Sequence, residues 1–209
     1  MRSLDPDPWS TCLVGSAHAA DKLTLRRYSE MHQNRDRPGI ANLIRKRFEE
    51  RYLEPILDNP KRNGFAMLAI CCLMVETLES FRHGWKDTSE RGKSEAAFCG
   101  FFQAHEEFRD LRPVAHEFYR AVRCGILHQA ETTHKWRVDR EPGLLSEQAG
   151  VRWLSAFEFG KALRVVLNRY CDNLSNSDWS SPLWVNARKK LQAICRNCGL
   201  PKSDVSKLA

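Results

Sequence analysis

"GFAMLAICCLMVETL", residues 64–78, is apolar nearly all the way round a helix. A helix without a polar face belongs in an interior, so this stretch predicts the buried central helix of a helical protein. Its second half gains polar character through Glu76, Glu79, Arg82 and His83, and Gly84 fits a C′ stop. No uninterrupted apolar run reaches the ~18 residues of a transmembrane helix, so none is expected.

The flanking segments repeat the helical period. Upstream, Ile40, Leu43, Ile44, Phe48, Tyr52 and Ile56 recur at three- and four-residue steps, with Asn59 and Pro60 closing the helix and Asn63 placed to cap the next. Downstream, Phe98, Phe101, Phe102, His105 and Phe108 share one side of "SEAAFCGFFQAHEEF", and Pro113 suits the first turn of a helix running to about Glu131. The period then changes. "WRVD" and "VRWL", separated by "REPGLLSEQAG", predict a small hairpin. "SAFE", residues 155–158, is a capping-box pattern. It opens a helix through Leu174 with Phe157, Val165, Val166 and Tyr170 toward the core. Ser181 and Pro182 start a last helix carrying Trp184, Leu191 and Ile194. The expected fold is all-α: a bundle of about five or six helices with one small β-hairpin insertion. Residues 1–38 read as a peripheral or poorly ordered N-terminal arm, 39–176 as the bundle, and 177–209 as a C-terminal helix and tail.

Composition narrows the function classes. The chain has 209 residues, 42% hydrophobic and 28% charged, which is a soluble globular balance. Its net charge of +7 favours anionic partners such as RNA, DNA or anionic membrane surfaces. The eight cysteines fall mostly inside apolar or helical runs, and the first residues hold no apolar signal core, so a reducing cytoplasm with free thiols is expected. Cys195 and Cys198 form a lone C-x-x-C without the second pair that a zinc site needs, so no metal and no cofactor are expected.

"RCGILHQAE", residues 123–131, carries the chemistry. On a regular helical wheel Arg123 and His128 lie about 140° apart, with Arg120, Cys124, Leu127 and Glu131 between them. Ala115, Phe118, Tyr119, Val122 and Ile126 fall on the opposite, core side. The non-core face mixes apolar and charged residues, which suits a partner subunit. A two-fold axis through it brings two arginines and two histidines together. The plainer alternatives are a histidine complementing a helix C-terminus and an arginine paired with Glu131 or Glu117.

The segment "FYRAVRCGILHQAETT", residues 118–133, resembles the R-x4-6-H signature of the HEPN superfamily, helical-bundle domains of which many are metal-independent ribonucleases. The layout over residues 40–175 is similar as well: an apolar second helix, an F-x-x-FF helix, the R…H helix, and a closing helix ending near a tyrosine. The likeness is greatest to a group of bacterial HEPN proteins of poorly defined function. The resemblance implies a homodimeric, toxin- or defence-like endoribonuclease acting through the RNA 2′-hydroxyl, with Arg123 and His128 catalytic and a cognate antitoxin as a further partner. Arg120, Cys124, Glu131, Glu79 and His83 are auxiliary candidates. Many active members carry Asn, Asp or His after the arginine, where this chain has Cys124. That departure favours the rival reading, a non-catalytic HEPN-like module that binds RNA or a nucleotide or only dimerises. A third reading is a helical scaffold whose charge serves solubility.

Overall fold

The structure, a computed structural model, describes residues 7–15, 22–59 and 63–208. Pro60, read as closing a helix, lies outside them. Among the described residues the chain is mainly α with two small sheets, and it divides into two compact units. One unit comprises Met1–Glu50, Ser80–Lys86 and Asn168–Ala209; the other comprises Arg51–Glu79 and Asp87–Leu167.

In the first unit, β1 (Cys12–Val14) pairs antiparallel with β2 (Leu23–Thr24). Helix α1 (Leu25–Gln33) follows, its first turn capped by the Thr24 hydroxyl accepting from Arg27 N. Leu13, Val14, Leu25, Tyr28 and Met31 are buried, so the described part of residues 1–38 supplies core instead of forming a peripheral arm. The signal was the three-residue spacing of Leu25, Tyr28 and Met31. Helix α2 (Arg37–Phe48) starts earlier than Ile40 because the Asp36 carboxylate accepts from Gly39 N at 2.9 Å and Pro38 preorganises the first turn. Phe48 meets Phe81 edge-on, with ring centroids 5.6 Å apart. Helix α9 (Pro182–Asn197) starts at Ser181 and Pro182 as its sequence predicts, with the Ser181 hydroxyl as its cap, and the buried Trp184 donates its indole N–H to Leu174 O at 2.8 Å. The short α10 (Lys202–Ser206) was not legible beforehand.

The second unit begins with α3 (Glu54–Leu57) and the first four turns of α4 (Gly64–His83). Met67, Leu68, Cys71, Cys72, Met74, Val75 and Leu78 are buried, as expected of a central helix. By length and composition alone α4 qualifies to cross a membrane, which strict counting of apolar runs missed; 61% of its most apolar window is buried inside the protein, as in a core helix. Helix α5 (Lys93–Ala104) places Phe98, Phe101 and Phe102 in an aromatic cluster with Phe108, Phe118, Phe159 and Trp136. Edge-to-face and offset pairs of this kind contribute about 0.5–1.5 kcal/mol each beyond their burial. Pro113 does not open the next helix. It lies inside a 3-10 stretch, Glu106–Val114, and α6 (Ala115–Phe118) starts just after it. A π turn, Tyr119–Cys124, and α7 (Gly125–Gln129) complete that segment.

Strands β3 (Trp136–Asp139), β4 (Leu145–Gln148) and β5 (Val151–Ser155) form a sheet ordered β3-β5-β4. "WRVD" and "VRWL" do pair, but parallel; the hairpin partner of β5 is β4. Ala149 and Gly150 have φ of 51° and 71°, the two left-handed positions of a tight hairpin turn, and they set that pairing. Helix α8 (Ala156–Asn176) is capped by Ser155, whose hydroxyl accepts from Glu158 N at 3.4 Å. Its buried stripe is Phe159, Leu163, Val166, Leu167 and Tyr170, whereas Val165 is exposed and Phe157 half-buried.

Candidate functional site

The R-x4-H segment lies within the second unit, on an irregular helix. A π turn hydrogen-bonds from i to i+5 and widens the helix, so the regular wheel misplaces residues across it. Ala115, Phe118 and Val122 are buried as read, while Tyr119 and Ile126 are only half-buried. The helix stops at Ala130, whose φ of 55° is the left-handed C′ conformation. The chain then doubles back against its own helix: Thr133 N donates to Ala121 O at 3.0 Å and the Thr132 hydroxyl to Trp136 O at 2.7 Å. Gly125 permits that return. A Cβ there would stand 2.5 Å from Glu131 O.

The two signature residues are held differently. Arg123 turns inward to Glu76 of α4: its Nε and Nη2 lie 2.9 and 2.8 Å from the same oxygen, Oε1. Their side chains are only 17% and 10% exposed, so this is a mostly buried ion pair. The other Glu76 oxygen accepts the Thr88 hydroxyl. The guanidinium also sits 5.6 Å from the Tyr119 ring centroid. Burial on its own lowers the Arg123 pKa, but the charge and hydrogen bonds of Glu76 outweigh it and hold the group more firmly protonated than usual. Burial likewise raises the Tyr119 phenol. His128 is exposed at the end of α7, and among the described residues no hydrogen bond or ring contact ties it to Arg123.

Of the auxiliary candidates, Cys124 is half-buried beside Tyr119. Arg120 is exposed and lines a cleft of about 260 Å³ with His116, Glu117 and His134. Glu117 accepts the Trp136 indole N–H at 2.9 Å and pairs with Arg152, so the carboxylate in that cleft is already neutralised. The His116 imidazole contacts Glu95 at 3.0 Å, and that of His134 contacts the Thr133 hydroxyl at 2.8 Å. Glu131 accepts from Thr132 N at 2.8 Å and so braces the turn. Glu79 is buried one helical turn beyond Glu76 on the same face of α4. His83 belongs to the first unit, stacked on Trp85 with centroids 4.7 Å apart.

Glu76 is the residue the sequence reading did not place. Its signal was a lone carboxylate interrupting an otherwise apolar run, a position that calls for a buried partner. Among the described residues, no cluster of three His, Cys, Asp or Glu is placed to hold a metal ion. Cys195 is buried and Cys198 half-buried, and burial first of all pushes the Cys195 thiol up to about 12. Compared with protein-family models, curated proteins and solved structures, the chain finds no match.

Proposed function

We propose that the chain is a HEPN-like, RNA-directed domain that cleaves phosphodiester bonds through the RNA 2′-hydroxyl, with Arg123 and His128 as its catalytic residues. The observation that carries this reading is the Arg123–Glu76 pair. A single carboxylate oxygen takes both Nε and Nη2, which fixes the guanidinium plane. An arginine preorganised in this way neutralises the charge that builds on a pentacoordinate phosphorus. The exposed imidazole of His128 supplies proton transfer, typically about 10²- to 10⁴-fold in rate.

The step balances without any co-reactant. The 2′-oxygen attacks phosphorus and gives its proton to one imidazole. The phosphorus–5′-oxygen bond breaks, and the leaving oxygen takes a proton from a second imidazole. The products are a 2′,3′-cyclic phosphate and a 5′-hydroxyl. The second imidazole comes from another copy of the chain, docked over the exposed Leu127 beside His128. A toxin- or defence-like role with a cognate antitoxin accords with this chemistry by analogy alone.

One observation favours a non-catalytic module instead: Glu76 already neutralises Arg123, and Cys124 follows it. The deciding experiment is RNA cleavage in EDTA by the native chain, His128→Ala and Arg123→Ala, with end-group analysis. Cleavage lost in both variants and ending in cyclic phosphate supports the enzyme. RNA bound but left intact by the native dimer supports the module.

A further inference from the structure

A second cationic site lies in the first unit, far from anything the R-x4-H motif marks in sequence. A cleft of about 570 Å³ is lined by Arg35, Arg37, Asp178, Trp179, Ser180 and Arg188. Three guanidinium groups share it with one carboxylate. That carboxylate compensates little, because Asp178 is 92% exposed and 4.0 Å from Arg37. Arg35 makes no side-chain hydrogen bond or ion pair among the described residues.

The site is built, not merely crowded. Arg37 is anchored by donating Nη1 to Ser177 O at 2.7 Å, and Arg188 by donating Nη1 to Trp179 O at 2.6 Å. The Arg188 guanidinium lies 4.6 Å from the Trp179 ring centroid. That ring is in turn held by His32 and Trp184, at 5.2 and 4.8 Å between centroids. Arg188 Nε is buried with no hydrogen-bond partner. Burial first, with the like charge of Arg35 adding to it and Tyr28 opposing it, holds Arg188 below its ordinary range. Two helix N-termini reinforce the field. Arg37 is the first residue of α2, and Ser180 directly precedes the cap of α9. Finally, Arg35 holds φ at +50°, a left-handed conformation that glycine would adopt without strain.

We infer that this cleft binds a phosphate ester, through the Arg35, Arg37 and Arg188 guanidinium groups. Planar forked donors match phosphate oxygens, and a cleft of this size admits a whole nucleotide rather than a lone ion. The phosphate comes either from a free nucleotide or from a nucleic-acid strand. The inference does not rest on the ribonuclease reading.

The test is calorimetric titration of the full chain with 5′-AMP and, separately, with a short 2′-O-methyl RNA that resists 2′-hydroxyl chemistry. Arg35→Gly is the decisive variant, because it removes the charge while relieving the backbone. It is expected to melt no lower than the native chain and to bind about tenfold more weakly, with Arg35→Glu weaker still. Arg109→Ala, which removes an exposed guanidinium of the second unit, is expected to bind as the native chain does. Binding of 5′-AMP identifies a nucleotide site, and binding of the oligonucleotide alone identifies a strand phosphate. If the native chain binds neither probe, or Arg35→Gly and Arg35→Glu both bind as tightly as it does, the inference is overturned.

Discussion

The Arg123–Glu76 pair gives the most quantitative prediction. Its partners are 17% and 10% exposed and 2.8 Å apart. Unit charges about 4 Å apart attract by roughly 4 kcal/mol at an effective dielectric near 20, and desolvation offsets much of that. Removing one partner leaves the other buried and uncompensated, which in a sealed interior costs about 3–5 kcal/mol. Arg123 keeps some solvent contact, so about 2–3 kcal/mol is expected for Glu76→Gln, in which the amide oxygen still accepts from Thr88. For a chain of this length that is a fall in Tm of about 5–10 °C. Arg123→Met alone is expected to cost a similar amount. The double variant is expected to lose little more than either single, a coupling of about 2 kcal/mol in the double-mutant cycle. Scanning calorimetry of the four proteins reads all of this. Single variants within about 0.5 kcal/mol of native and strictly additive would refute the buried pair, and with it the preorganised arginine.

Three further outcomes are expected. Gly125→Ala drives a methyl onto Glu131 O, so a loss of about 1–3 kcal/mol in urea unfolding is predicted, and a neutral effect would mean the chain return is misdrawn. Ala149→Asn eases a φ of 51° in the β4–β5 turn and should stabilise by about 0.4–1 kcal/mol; a lower Tm would contradict that turn assignment. The His32 pKa is lowered below its ordinary 6.5 by burial first and Arg188 second, so the folded chain favours the neutral ring. The unfolded chain then binds the proton more readily, and stability present above pH 6.5 is lost as the pH falls through the lowered value. His32→Phe should flatten the dependence of Tm on pH below 6.5, and an unchanged slope would assign it to other groups.

Periodicity made much of the architecture legible. The apolar run 64–78 called for a buried helix, and Met67 to Leu78 are buried along it. Phe98, Phe101 and Phe102 shared a side and form one aromatic cluster. Ser155 was read as a cap and Ser181 as a helix start, and both hydroxyls cap, because capping involves residues only three apart. Where the reading went astray, chain direction or backbone detail was at stake. The parallel pairing of β3 with β5 depends on the Ala149–Gly150 turn, and the π turn shifts faces that a regular wheel keeps fixed.

The sequence by itself therefore determined most of the helical segments and much of their apolar faces, and that an arginine and a histidine sit five positions apart on one of those segments. Only the tertiary structure decided what that arginine is bound to. Glu76 lies 47 positions upstream of Arg123 on another helix, and no periodicity links the two. The same holds for the cleft of Arg35, Arg37 and Arg188, which the fold of the first unit gathers from both ends of the chain. Local propensities act over a helical turn. Ion pairs and binding clefts join residues distant in the chain, and their partners are set by packing.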